Sequence, residues 1–431
     1  MTPRDGGGRA EGADPTGSEA VAARLLAALD EQLAAADAAL ASRYPGDRPG
    51  RQPVHTLYVP ADRYGPELVP ASGAAALRAL EEQPDGFAAV VRDDDIVARV
   101  RAKLGTEPVE DLRIDFEDGY RGKSEAEEDA DAVRTAQALA RSQRAGDAAP
   151  FGGIRIKCLE AATRARGVRT MTSFLATLLE HGGSLEGWVV TLPKVTSVDQ
   201  VEAMVYVCGE LERGFGLPRG AVRFEIQVET PQSILGPDGT ALVARMIHAA
   251  GDRLTGLHYG TYDYSAFCGI AAPQQSLEHP VADHAKVVMQ AAAAGTGVRL
   301  SDGSTNVLPV GTADDVRSAW ANHHRLVRRS LERGFYQGWD LHAAQLPTRY
   351  AATYGFYRQG TPDALERLVS YTGGTAGRIA DEPATARALA SFLLRGVDCG
   401  AVDAAEVSGA SGFDTERLDI ERLHALARTG R

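Results

Sequence analysis

The sequence predicts a (β/α)8 barrel with a C-terminal helical extension. Three observations predict it. Between residues 55 and 345, eight strand-like runs alternate with segments of helical period, the pattern of a repeated β-then-α unit. Most of the runs end in charged residues, at the barrel face where chemistry is found. Beyond about residue 360 the strand signals stop, and only helical patterns remain. A chain of 431 residues is long enough for one such barrel plus an appendage. A doubly wound sheet is the alternative, but no Gly-x-Gly-x-x-Gly follows an early strand.

Residues 1–20 are polar and glycine-rich and are expected to be disordered. Residues 21–44 are Ala/Leu-rich and read as a helix, broken by the Pro/Gly/Arg stretch at 45–53. The strand candidates are His55–Asp62, Asp111–Tyr120, Gly153–Cys158, Trp188–Val195, Arg223–Pro231, Leu254–Ser265, Gly297–Val310 and Gly334–Gln345. Two intervening helices are clear. In Ser197–Gly214, Val198, Val201, Val205, Cys208 and Leu211 form one face. In Ala313–Arg333, Thr312 is placed to cap, and Val316, Trp320, His323, Val327 and Leu331 line one side. The predicted divisions are a disordered 1–20, a barrel with its N-terminal helix over 21–360, and a helical extension over 361–431. In the extension, Thr361–Tyr371, Pro383–Arg395 and Thr415–Arg428 read as helices.

The apolar share of 44% supports a sizeable core, and the formal charge of −12 argues against a nucleic-acid binder. Cys158, Cys208, Cys268 and Cys399 are scattered with no Cys-x-x-Cys, so neither a disulfide framework nor a zinc site is expected. No secretory signal and no apolar run of membrane-spanning length is read. The expectation is a cytoplasmic protein that meets neither membrane nor nucleic acid.

The strand ends supply the candidate chemistry: Asp62; Asp115, Glu117 and Asp118; Arg155 and Lys157; Lys194; Gln227 and Glu229; His258 and Asp263; Asp340, His342 and Gln345. A charge at one strand end is ordinarily a solvated loop residue; the signal is the conjunction on one face. Glu229 and Asp263 each follow an apolar run, and two converging carboxylates suit a hard cation such as Mg²⁺. Along 111–118, Leu112, Ile114 and Phe116 share one parity, and Arg113, Asp115 and Glu117 the other. The second set points inward and needs cations, which Arg155 and Lys194 can supply. Lys194 is read as a charge partner rather than an imine-forming lysine, and His258 as a hydrogen-bonded core histidine.

These motifs resemble the HpcH/HpaI aldolase and citrate lyase β-subunit superfamily, as a divergent branch. Leu-Tyr-Val-Pro-Ala-Asp (57–62) is similar to its first strand, Leu-Phe-Val-Pro-Gly. Asp115-Phe-Glu-Asp118 resembles its Asp-Leu-Glu-Asp, and Ile154-Arg155-Ile156 its arginine-bearing third strand. Leu192-Pro193-Lys194 resembles its Pro-Lys, and Glu229-Thr230 and Gly260-Thr-Tyr-Asp263 the segments carrying its metal-binding acids. The chain departs from the pattern at Gly119-Tyr120, at Ala61-Asp-Arg-Tyr64, at Ser301–Pro309 and in the C-terminal tail.

The resemblance implies a metal-dependent barrel in which Glu229 and Asp263 bind Mg²⁺ (or Mn²⁺). Arg155 would contact a substrate carboxylate or carbonyl, and Asp115 and Glu117 would shape the site. Lys194 and His342 join Arg155 as expected substrate-binding residues. The expected activity is carbon–carbon cleavage or formation on a hydroxy- or oxo-acid, or its coenzyme A thioester. The rivals are a malate-synthase-like condensation of glyoxylate with an acyl-CoA, and a catalytically silent metabolite-binding barrel. In the resembled lyases the C-terminal region packs across subunits. That implies a homo-oligomer, a trimer or a multiple of it, and Leu365, Leu368 and Val369 offer an apolar stripe for it.

Overall fold

The computed structural model describes residues 17–372, 381–409 and 420–429. The chain divides into two compact units, Met1–Pro45 and Gly46–Arg431. In the first, the expected helix runs Ser18–Arg43. The segment expected to be disordered lies outside the described residues except for its last four, three of which begin this helix.

The second unit is built on eight parallel strands: β1 His55–Pro60, β2 Asp111–Asp115, β3 Phe151–Arg155, β4 Trp188–Leu192, β5 Phe224–Val228, β6 Leu254–Tyr259, β7 Arg299–Ser301 and β8 Gly338–Asp340. Each pairs with its neighbour in sequence, and β8 returns to β1. A parallel bridge between Ser301 and Gln337 closes the ring, with Asp302 N–H donating to Gln337 O at 2.8 Å. This is the predicted (β/α)8 barrel. The strands begin close to where the alternation places them and end several residues sooner. Beyond Asp115 and Tyr259, side chains and short helical turns take over the hydrogen bonds that a longer ladder would use.

The helices form for local reasons. Thr312 caps Ala313–Glu332 in a reciprocal box with Asp315, and Ser197 caps Val198–Phe215. Their apolar faces meet the outward parity of the strands, where Leu112, Ile114, Ile154, Val190 and Ile226 are buried in one continuous core.

The inward parity is polar. Arg113 grips Glu225 with two bonds of 2.9 and 2.8 Å and Asp111 with one of 2.6 Å. His258 lies 3.0 Å from Glu225 and accepts from the Trp339 indole at 3.1 Å, as a hydrogen-bonded core histidine should. Burial opposes the charge on Glu225, but Arg113 and then His258 outweigh it and hold its pKa well below the usual carboxylate range. A group depressed in this way stabilises the fold above its unfolded pKa of about 4. That contribution is lost as pH falls through the folded value. Replacing Arg113 strands two buried carboxylates, so Arg113→Met is expected to cost about 3–5 kcal/mol. Urea denaturation at pH 7 measures this, and a loss below about 1 kcal/mol contradicts it.

The predicted boundary at 360 falls inside one continuous helix, Leu346–Thr372. That helix packs on Pro383–Asp398, which packs on Ile420–Thr429. The start of the expected helix Thr415–Arg428 lies outside the described residues. Leu368 is fully buried, and Leu365 and Val369 pack against the same core. Burying this stripe therefore requires no neighbouring subunit, and the expected homo-oligomer rests on the resemblance alone. All four cysteines are unpaired, and no described helix is long and apolar enough to cross a membrane.

Candidate functional site

The turn after β2 is organised by Asp115. Its carboxylate accepts the main-chain N–H of Glu117 at 2.9 Å and of Gly119 at 2.8 Å. It also takes two bonds from Arg155, at 2.7 and 2.6 Å. A Cβ on residue 119 would come within 2.6 Å of the Asp115 carboxylate, so the turn needs glycine there. The same turn swings Glu117 and Asp118 over the barrel mouth.

Arg155 is buried at the end of β3. With Asp115 holding one edge of the guanidinium, its remaining amino group reaches Gln227 at 3.3 Å and Glu117 at 3.5 Å. Its flat face lies 5.0 Å from the Tyr58 ring centre. The arginine is thus fixed in orientation, while its third set of donors makes only long contacts.

At the end of β4, Lys194 adopts φ +50°, the sole positive φ outside glycine among the described residues. Such a conformation costs about 1 kcal/mol or more. Here it aims the Lys194 N–H at Glu229, 2.7 Å away, and turns the side chain inward. The ammonium stands 2.5 Å from Glu117, 2.7 Å from Asp118, 3.5 Å from Asp263 and 3.9 Å from Glu229. Burial opposes this charge, but Glu229 and Glu117 outweigh it and raise the pKa, so the amine stays protonated.

Glu229, just past β5, is completely buried. It accepts from Gln227 at 2.5 Å. Gly260 lets the strand β6 terminus pass close: a Cβ there would sit 2.4 Å from the Glu229 Cβ. Burial pushes the Glu229 pKa well up; Lys194 pulls it down, and Glu117 and Asp263 push it further up. Asp263 lies in the first turn of the short helix Thr261–Phe267 rather than on the strand itself. Burial also pushes Glu117 up to about 7, against the pull of Arg155 and Lys194. For Asp118, burial is outweighed by hydrogen bonding to Glu117 and Lys194, which lowers its pKa to about 2.

One ammonium therefore serves four carboxylates, while Arg155 is committed to Asp115. Asp118, Glu229 and Asp263 each offer an oxygen, and these oxygens lie within 4.8 Å of one another. Three hard oxygen donors, one buried and strained by like charge, fit a divalent cation of the Mg²⁺ or Mn²⁺ type.

The sequence-predicted residues Asp115, Glu117, Arg155, Lys194, Glu229 and Asp263 all come together at this mouth. His342 does not join them through any bond: its ring accepts the Ala344 N–H at 3.2 Å and caps the turn after β8. Lys157 pairs with Glu128 at 2.6 Å and Asp62 with Lys123 at 3.2 Å. Sequence reasoning placed Asp118 on the right face but did not group it with the cation ligands. Its place in the Asp-x-Glu-Asp run was the available signal, and nothing in the spacing separated it from its neighbours.

A stretch of 110 residues is 33% identical to an L-malyl-CoA/beta-methylmalyl-CoA lyase from Haloarcula marismortui. The match covers 26% of this chain and 29% of that protein, so the chain spans under a third of the curated relative's length. It supports the resemblance to the HpcH/HpaI aldolase and citrate lyase β-subunit superfamily. Similar solved structures include a Haloferax volcanii malate synthase with magnesium and glyoxylate, at 15% identity over 71% of this chain and 76% of that one, TM-score 0.48. Another is the citrate lyase β subunit of M. tuberculosis with oxaloacetate and magnesium, at 19% identity over 70% and 96%, TM-score 0.41. A family model described as a domain of unknown function, DUF6986, matches residues 33–426, and the chain belongs to that family.

Proposed function

We propose that this chain is a divalent-metal-dependent carbon–carbon lyase, or runs the reverse condensation, on a hydroxy- or oxo-acid or its coenzyme A ester. The observation that carries the reading is the convergence of the Asp118, Glu229 and Asp263 carboxylates beside a buried, oriented Arg155. The lyase named as a curated relative supports the same class.

In this reading Glu229, Asp263 and Asp118 hold the cation. When bound, Mg²⁺ or Mn²⁺ supplies Lewis acidity to the oxygens of an oxo-acid. Arg155 does the rest of the charge work. Cleaving a β-hydroxy acyl compound leaves an enolate on one fragment and a carbonyl on the other. The one amino group of the guanidinium that makes only long contacts, to Gln227 and Glu117, can donate instead to a substrate oxygen and offset the developing negative charge. Asp115 keeps the guanidinium from rotating away, so little orientation is lost on binding. Lys194 balances the charge of the surrounding acids.

The test is a substrate panel of β-hydroxy acyl-CoA esters and their free acids, assayed for released glyoxylate or pyruvate. Release of free coenzyme A from acetyl-CoA plus glyoxylate marks the condensation instead. No turnover in either direction with Mg²⁺ or Mn²⁺ present favours a silent barrel.

The protonated state of Lys194 leads to a separate expectation. An imine needs a neutral amine. Turnover is expected to vanish on chelation with EDTA and return with Mg²⁺, and borohydride added with substrate is expected to trap no adduct. An adduct on Lys194, found by mass spectrometry, overturns the metal-dependent reading.

A further inference from the structure

The opposite end of the barrel, where the strands begin, holds a cavity of ≈ 660 Å³. Its size is that of a small-molecule pocket. The layer of Asp111, Arg113, Glu225 and His258 lines its inner part, and these groups are satisfied by one another. Arg48, Arg223 and Arg299 also line it, and they are different.

Arg113 meets Glu225 at 2.8 Å, Arg155 meets Asp115 at 2.6 Å, Arg253 meets Glu212 at 2.6 Å and Arg349 meets Asp340 at 3.0 Å, whereas of the three cavity arginines Arg48 and Arg299 are half-buried and Arg223 is exposed. Arg48, Arg223 and Arg299 donate to main-chain carbonyls, of Asp252 at 3.1 Å, Gly220 at 3.4 Å and Gly50 at 2.7 Å. Among the described residues, none of the three forms an ion pair with a carboxylate. Burial and the repulsion of Arg223 lower the pKa of Arg48; burial and the repulsion of Arg48, then Arg395, lower that of Arg299. Asp252 relieves the first, and Asp398 and Asp47 the second, without cancelling it. Glu186 lines the cavity too, with its side chain exposed.

Like-charged guanidinium groups brought to one cavity with no carboxylate paired to them are best compensated by a bound anion. One carboxylate would be saturated by a single guanidinium fork. Three forks from three separate segments, before β1, before β5 and at the start of β7, call for an anion with more oxygens, and a phosphate group has them.

We propose that this cavity binds a small phosphate-bearing molecule, at a site separate from the acid cluster at the other end of the barrel. Arg48, Arg223 and Arg299 would take the phosphate oxygens. The test is isothermal titration calorimetry of the full chain with inorganic pyrophosphate, in metal-free buffer at low ionic strength. Saturable one-to-one binding is expected. Arg48→Gln and Arg223→Gln should each weaken it roughly tenfold or more, as loss of a charge-assisted contact does. Glu229→Gln should leave it unchanged. Circular dichroism checks that the arginine variants fold, and Arg299→Lys serves if either does not, with weakening again expected because lysine cannot reproduce the fork. Absence of saturable binding overturns the proposal. Binding that survives the arginine substitutions overturns it as well, since the anion is then adventitious.

Discussion

Glu229→Ala and Asp263→Ala are each expected to abolish Mg²⁺ binding while the fold survives. Glu229 is fully buried, beside Asp263 and Asp118, with one ammonium among them. Mg²⁺ keeps several of its waters and relies on one or two protein carboxylates, so losing the charge of either principal ligand removes most of what holds it. The wild-type protein should gain thermal stability with added Mg²⁺, because only the folded state assembles the donor set. Both variants should lose that gain. Asp118→Asn should also weaken binding, by about tenfold or more. Unchanged Mg²⁺ affinity in both alanine variants, by calorimetry, sinks the assignment of these residues.

The second large effect is expected at Arg155. Arg155→Lys should lower kcat/KM by one or more orders of magnitude, where about 1.4 kcal/mol is tenfold. A lysine can make one bond to Asp115 but cannot hold it by two while presenting further donors to a substrate oxygen. The two duties separate by measurement. A purely structural arginine would show a lower melting temperature with kcat/KM near the wild-type value. The proposed role requires the fall in kcat/KM to persist well below the melting transition, and near wild-type turnover there refutes it.

Much of this site was legible in the sequence because period-2 alternation is a local property. It put Leu112, Ile114 and Phe116 on one face and Arg113 and Asp115 on the other, and the core and the polar interior divide in that way. The apolar runs also indicated where most strands begin, although β8 starts at Gly338 rather than at Gly334. Their ends were read too long, because what stops a strand is the competition of side chains for its main-chain groups. Asp115 captures the Glu117 and Gly119 N–H groups, and the segment after Tyr259 coils into Thr261–Phe267. His342 looked equivalent to the other strand-end residues, yet it spends its ring on a local cap.

The sequence by itself determined the barrel, its closure by eight β-then-α units, and the face on which acids and cations gather. It also paired Arg155 and Lys194 with Asp115 and Glu117, since buried charges of opposite sign at strand ends have few other partners. Only the tertiary structure decided which acids share one cation-sized space. That depends on a left-handed turn at Lys194, on glycines 119 and 260 that let chains approach, and on Asp118 swinging over the mouth. It alone revealed that the C-terminal stripe is covered by its own chain, and that three arginines distant in sequence line a second cavity without carboxylate partners. Alternation reports which way a side chain faces. Which groups meet across the barrel is set by the closure of the ring, and no local pattern carries that.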